Sequence, residues 1–157
     1  MRFREFQPAD WTACLALFEG NTPDYFHPSE REAFLESLEG SDFRPPALRG
    51  SGEPKGRFYV VEDEGAVIGC GGWYLDGAVA VLSWGMVRRS RHREGVGRLF
   101  LNERLKMIRQ NEHVKSVRVR TTPSVQGFFL RAGFKVVAES VTGVVDEMPL
   151  VELILTF

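Results

Sequence analysis

The stretch SWGMVRRSRHREGVGRLFL, residues 83–101, passes from an apolar strand through a basic turn into an amphipathic helix, and no other segment constrains the chain so tightly. Gly95 and Gly97 stand where the backbone must turn, permitting φ > 0 and close approach of a ligand to main-chain N–H groups. Arg88, Arg89, Arg91, Arg93 and Arg98 place five of the 20 basic residues within eleven positions, with His92 among them. A helix N-terminus carries partial positive charge and disfavours each cation by roughly 0.3 to 1 kcal/mol. Arginines gathered there make sense if an anion sits between them. The competing reading is an ordinary strand-to-helix turn with solvated arginines. No Gly-Lys-Ser/Thr follows, and Phe100 stands where a third glycine would complete a dinucleotide fingerprint, so a P-loop and a Rossmann turn both fit poorly.

The rest of the chain supplies elements on either side of this turn. Phe3 to Phe6 reads as a strand, and Pro8 opens a helix with Trp11, Cys14, Leu15 and Phe18 on one face, ended by Gly20 and Asn21. Ser29 and Glu32 read as a capping box for a second helix that buries Phe34, Leu35 and Leu38 and stops at Gly40. Ser41 to Gly56, with three prolines and three glycines, reads as a long surface loop. Arg57 to Glu62, Ala66 to Tyr74 and Ala78 to Val87 form an antiparallel meander, turning at Asp63 to Gly65 and at Asp76-Gly77. A helix from about Gly95 to Gln110 carries Val96, Leu99, Phe100, Leu105 and Ile108 near a 3.6-residue period. Val114 to Arg120 is a strand, and Pro123 to Ala132 a short helix capped by Thr122 or Ser124 and stopped by Gly133. Strands from Phe134 to about Val141 and from Glu147 to Phe157 complete the order β-α-α-β-β-β-α-β-α-β-β. That is an α+β fold, a mixed, mostly antiparallel sheet with helices packed on it, in a single domain spanning residues 1–157.

Composition narrows the function classes. With 43% apolar and 26% charged residues the chain can bury an ordinary core. A net charge of −1 provides no global field for nucleic acid or an anionic membrane, so neither is an expected partner. The opening MRFREFQPAD has no apolar signal core, and no stretch approaches the roughly 18 apolar residues of a membrane span, so the expected location is the cytoplasm. Cys14 and Cys70 have no metal-type spacing and read as reduced packing thiols; no metal is expected.

At the basic turn the chain resembles the Gcn5-related N-acetyltransferase (GNAT) superfamily, whose signature is a strand ending in Val and then Gln/Arg-x-x-Gly-x-Gly/Ala at a helix start. Here the residues are Val87 and then His92, Arg93, Glu94, Gly95, Val96 and Gly97, with His92 replacing the usual Gln or Arg. A second family motif, Asn-x-x-Ala-x-x-Phe-Tyr-x-x-x-Gly-Phe, is similar to Thr122, Val125, Phe128, Phe129, Gly133 and Phe134 at the matching spacing. The order of elements matches over nearly the whole chain. The resemblance implies acetyl-coenzyme A as acyl donor. It further implies pantetheine pairing with the backbone of Gly85, Met86 and Val87, and pyrophosphate held by N–H groups from Arg93 to Arg98. Arg88 or Arg91 would reach another phosphate, Thr122 and Phe129 would flank the coenzyme, and an amine would attack the thioester directly.

The catalytic residues are less defined. Amine attack needs a proton acceptor, and the departing thiolate a proton donor. The family's usual donor is the Tyr of the second motif, and this chain has Phe129 there. Ser124, a bound water, an unprotonated thiolate stabilised by nearby dipoles, or loss of activity are the alternatives. Val81 to Val87 contains no acid; if Val81, Ser83 and Gly85 share a face by strand alternation, Ser83 positions a relaying water. Tyr25 and His27 lie in the loop between the first two helices, which usually forms one acceptor wall in this family, and a histidine there is a candidate base. Trp73, Tyr74 and Trp84 are the aromatic candidates for the acceptor pocket. The expected activity is N-acetylation of a small-molecule or peptide amine, by a monomer or homodimer. A noncatalytic acyl-coenzyme A binding or sensing module and a plain basic interaction surface are the competing readings.

Overall fold

The computed structural model describes residues 1–49, 56–141 and 149–157. Its elements are β1 (Arg2–Glu5), α1 (Trp11–Gly20), α2 (Arg31–Gly40), β2 (Arg57–Asp63), β3 (Ala66–Asp76), β4 (Val79–Val87), α3 (Val96–Arg109), β5 (Ser116–Thr121), α4 (Gln126–Arg131), β6 (Lys135–Val141) and β7 (Leu150–Thr156). This is the order read from the sequence. Glu147 and Met148 of the last expected strand, and the end of the expected loop from Gly50 to Lys55, lie outside the described residues.

The strands form one seven-stranded sheet in the order β1-β2-β3-β4-β5-β7-β6. All neighbours are antiparallel except β4 and β5, which run parallel. The β2–β3 turn places Glu64 at φ 51° and Gly65 at φ 79°, the two positive values that a twisted two-residue hairpin requires. Between β4 and β5 pairing is brief, running from Val79 opposite Ser116 to Val81 opposite Arg118. Beyond that point the two strands diverge.

Each face of the sheet carries two helices. Cys14, Leu17 and Phe18 of α1 with Phe34 and Leu38 of α2 pack on Phe58, Val60, Cys70 and Met86. On the other face Leu101, Leu105 and Ile108 of α3 and Phe129 of α4 cover Trp73, Leu75, Ala80, Leu82, Val117 and Leu153. Burying a side chain of this size contributes about 1.5–3 kcal/mol, so these clusters set the positions of the helices. Leu99, expected on the buried face of α3, is 46% exposed; the buried row runs instead through Val96, Phe100, Leu101, Arg104, Leu105 and Ile108.

Two strand irregularities shift the side-chain alternation. Val61 pairs with Gly69 and Glu62 with Val67, which leaves Ile68 of β3 as an extra residue. Cys70 pairs with Met86 and Gly72 with Ser83, which leaves one more residue on β4 than on β3. Trp84 lies in that bulge at φ 47°, a conformation that costs a bulky residue roughly 1–3 kcal/mol. Its indole is wedged among Phe34, Phe26 and Phe18, with ring centroids 5.0, 6.0 and 6.4 Å away. Those aromatic contacts offset the backbone strain.

The helix starts also differ from expectation in one respect. A single 3-10 turn, Pro28–Glu30, precedes α2, and the reciprocal cap is formed by His27 and Glu30 rather than by Ser29 and Glu32. The Glu30 carboxylate accepts the His27 N–H at 2.8 Å, and His27 Nδ1 accepts the Ser29 N–H at 3.2 Å. Proline at the first position of the turn moves the cap one residue ahead of it. Thr122 is the residue that leads into the turn before α4.

Candidate functional site

The divergence of β4 and β5 opens a cleft of about 1470 Å³, larger than the roughly 300–1,000 Å³ of an ordinary small-molecule pocket. Its walls are Leu82 to Val87 on one side and Val119 to Thr122 on the other. The start of α3, α2 and the loop that leads into α2 complete the walls, so a long ligand can lie across the broken sheet.

At the α3 end the chain makes the turn anticipated from the sequence. Arg93 has φ 65° and Gly95 φ 84°, and no side chain caps the helix. The N–H groups of Val96, Gly97 and Arg98 have no backbone acceptor among the described residues. Unsatisfied N–H groups at the positive end of a helix dipole form an anion site. Val87 carries a side chain 3.9 Å from where a Cβ on Gly97 would stand, and the Phe128 ring is 3.6 Å from it. A larger side chain at residue 97 must therefore project into the cleft.

The arginines divide into two sets. Arg91 is bound to Asp63 at 2.9 Å and to Glu94 at 2.9 Å. Arg89 pairs with Asp24 and lies over the Tyr25 ring, and Arg88 donates to the Val67 carbonyl at 3.0 Å. Arg88 and Arg91, the two expected to reach a further phosphate, thus have partners that brace the turn against β3 and β2. Arg93 and Arg98 are exposed and make no ion pair among the described residues, so they are the cations available to an anionic ligand.

His92 departs from the family signature for a visible reason. Its Nε2 lies 2.8 Å from the Val87 carbonyl, which can only accept, so Nε2 carries the proton. Asn21 Nδ2 donates to the same oxygen at 3.0 Å. The Val87 carbonyl is thus already filled, and any pairing of a ligand amide there falls to the Val87 N–H. His92 pins the end of β4 and stacks edgewise on Tyr25, 5.4 Å between centroids.

Beyond the turn, where Tyr25 stands beside His92 and Arg89, the cleft is lined by Tyr74, Ser83, Trp84, Thr122, Ser124 and Phe129. Trp73 and His27 are not among the residues that line it. Trp73 belongs to the core beneath α3 and α4, because the irregularity at Ile68 reverses the phase of β3 and turns Tyr74 toward the cleft instead. His27 is occupied as a cap, with Nδ1 2.9 Å from Ser29 Oγ. The bulge likewise separates Ser83 from Gly85. Ser83 pairs opposite Gly72 and joins the acceptor side, whereas Gly85 faces the α3 side and Arg104. Ser83 Oγ is buried without a hydrogen-bond partner among the described residues. Thr122 Oγ1 and Ser124 Oγ are 3.0 Å apart, and the Phe129 ring packs edgewise between Phe128 and Phe134.

Two cleft residues, Glu30 and Arg104, had no signal in the motifs. Glu30 lines the acceptor end, and burial raises its carboxyl above the usual range despite the His27 N–H bond that opposes the shift. Burial also raises the Tyr74 phenol. Arg104 is buried on the cleft side of α3, and burial lowers its guanidinium to about 10. Its spacing of four from both Phe100 and Ile108 places it on the buried row and is the one clue the sequence offers. No group of three or more His, Cys, Asp or Glu among the described residues could hold a metal. No helix of the described residues is long and apolar enough to cross a membrane.

Comparison with known proteins agrees with this geometry. A family model described as an acetyltransferase (GNAT) domain matches residues 54–136. No curated protein matches the chain in sequence. Among solved structures, a GNAT-family protein from Desulfovibrio desulfuricans superposes with a TM-score of 0.77 at 18% identity, covering 99% of this chain and 98% of its own. A ribosomal-protein-alanine N-acetyltransferase from Brucella melitensis gives 0.72 at 17% identity, covering 100% of both chains. An aminoglycoside 6'-N-acetyltransferase complexed with coenzyme A gives 0.72 at 15%, covering 99% and 97%.

Proposed function

As a member of the GNAT acetyltransferase family, to which the match over more than half of its length assigns it, the chain is an N-acetyltransferase, and we propose that it carries acetyl from acetyl-coenzyme A to a primary amine of a small molecule or peptide by direct attack. The observation that carries the donor half is the start of α3. Open N–H groups from Val96 to Arg98 and the unpaired Arg93 and Arg98 suit a pyrophosphate at the mouth of a cleft long enough for pantetheine. The N–H groups of β4 beyond Val81, unpaired with β5, suit the pantetheine amides. When bound, the coenzyme supplies the activated thioester.

The acceptor half of the proposal rests on the other end of the cleft. Tyr74 and Trp84 provide aromatic faces, with Tyr25 on the side of the turn, and Glu30 a carboxylate that favours a cationic amine. Ser83 Oγ, buried without a partner among the described residues, is the hydroxyl of β4 closest to this end, and Ser124 stands beside Thr122 at the sulfur end. No role is assigned to His27 or Trp73. The similar structures named for an aminoglycoside and for a ribosomal protein superpose equally well, so the fold leaves the acceptor to these side chains. The reading places the enzyme in the cytoplasm, with Cys14 and Cys70 as thiols.

A second reading, a noncatalytic acyl-coenzyme A binding module, is favoured by Phe129 at the usual Tyr position. One assay separates the two. Purified protein is mixed with acetyl-coenzyme A and a panel of aminoglycosides, polyamines and N-terminal peptides, and free thiol is followed. Acceptor-dependent thiol release above hydrolysis is expected. Coenzyme binding by calorimetry with no release on any acceptor would leave only the binding module, and no coenzyme binding at millimolar concentration would end both.

A further inference from the structure

Arg104 lies in the third turn of α3, is 5% exposed, and has no carboxylate partner among the described residues. Its Nη1 donates to the Gly72 carbonyl at 3.3 Å, its Nε has no acceptor, and its guanidinium lies 4.6 Å over the Phe100 ring. A buried cation ordinarily finds an anion. This one finds two glycines. A Cβ on Gly71 would come within 3.2 Å of Nη1, and a Cβ on Gly85 within 3.2 Å of Nη2. The missing side chains at both positions let the guanidinium lie flat against the sheet at the bulge of β4.

The position along the cleft follows from the register. Gly72 pairs with Ser83, so the guanidinium stands level with Ser83 to Gly85. With phosphates at Arg93 to Arg98 and pantetheine running from Val87 toward Gly85, the coenzyme sulfur reaches that level. We propose that Arg104 is a positioning residue whose charge, acting across the β4 backbone at Gly85, stabilises the leaving thiolate in place of the proton that a tyrosine at position 129 would donate. The inference rests on the donor reading given above.

The step balances without an acid. The amine nitrogen bonds to the thioester carbon, the C–S bond breaks with its electron pair going to sulfur, and the amine's proton passes to water. The thiolate then leaves as an anion and is protonated by solvent. Arg104 gives up no proton, because burial lowers its pKa only to about 10 and it stays cationic at neutral pH. The titratable group of β3 that its charge reaches is Cys70, on the opposite face of the sheet beside Cys14 of α1, and burial pushes that thiol up. Gly85 of β4 and Phe100 of α3 add no titratable group. Cys70 is therefore neutral and leaves the guanidinium charge uncancelled.

Coenzyme A labelled with carbon-13 at the carbon bearing sulfur reports the ionisation of the bound thiol free of protein thiols. In the wild-type complex this thiol is expected to titrate about one pH unit or more below free coenzyme. R104K is expected to keep most of the shift. R104M and R104Q, whose folding is checked by melting and coenzyme affinity, are expected to lose it and to lower kcat roughly tenfold, the factor equivalent to one pKa unit, with KM for the donor little changed. A wild-type thiol that titrates at the free value overturns the proposal alone. So does a shift that survives in both neutral variants. Failure of the wild type to bind coenzyme overturns it together with the donor reading.

Discussion

Gly95 and Gly97 are two residues apart, yet substitution should reveal opposite requirements. A Cβ on Gly95 meets nothing within 4 Å, so alanine there has room and is opposed only by φ 84°. Holding an L-residue in the left-handed region costs about 1–2 kcal/mol. For a chain of 157 residues, at about 2–4 °C per kcal/mol, Gly95→Ala should lower Tm by about 2–8 °C. The turn itself persists, so coenzyme affinity should stay close to the wild type. Gly97 is already helical, so Gly97→Trp imposes no left-handed strain and sends the indole from between Phe128 and Val87 into the cleft. Its Tm should change little, and its coenzyme affinity should vanish. A thermal-shift assay with coenzyme A at 100 times its Kd reads both terms. That concentration adds about 2.7 kcal/mol to a protein that binds, or about 5–11 °C. The rise is expected for wild type and Gly95→Ala and absent for Gly97→Trp. Loss of the shift in Gly95→Ala at unchanged Tm, or an undiminished shift in Gly97→Trp, would refute the separation of conformation from space.

Two further outcomes concern charges away from the turn. Asp10 accepts two bonds from Arg4 at 2.7 and 2.8 Å and the Gln7 N–H at 2.8 Å, so Asp10→Ala should cost about 2–4 kcal/mol in urea denaturation at pH 7. Arg4 holds the folded carboxyl below its ordinary 3.8, so this stabilisation is present above that value and is lost as pH falls through the lower folded pKa; the gap between variant and wild type should therefore narrow as pH falls below 3.8. Glu30 has the opposite sign: burial raises its folded pKa above the unfolded value of 4.5, so ionisation weakens the fold as pH rises through that window. Glu30→Gln, which keeps an oxygen for the His27 N–H, should hold or raise Tm at pH 7 while raising KM for the acceptor; a lower Tm with unchanged KM would count against the acceptor role.

Sequence and structure agree where local chemistry decides. Gly95 must adopt positive φ whatever surrounds it, and the Asp76-Gly77 hairpin and the two motifs are similarly self-contained. Alternation failed where a strand carries an extra residue. Nothing in a tryptophan announces φ 47°, so the bulge at Trp84 was invisible, and with it the separation of Ser83 from Gly85. Trp73 and Tyr74, read together as acceptor candidates, lie on opposite faces of β3 past the extra residue at Ile68, and only Tyr74 lines the cleft. His27 offered titratable chemistry to a reader of the sequence, but proline at residue 28 recruits it as a cap. Arg104 was hidden by the general rule that arginines are exposed. Two glycines on other strands make room for it, and such long-range complementarity has no local signature.

The brief β4–β5 pairing gives this sheet four edges instead of two. The outer pair, β1 and β6, faces solvent in the usual way, whereas the inner pair looks into a wedge that narrows toward Val81 and Arg118. An unpaired edge ordinarily invites another polypeptide strand. A strand entering here would need space for side chains on both faces, and Phe100, Phe128 and Phe129 stand in that space. On the donor reading proposed above, the two inner edges are where an unbranched chain carrying amides pairs, so the hydrogen-bonding demand of an open edge is turned to ligand binding.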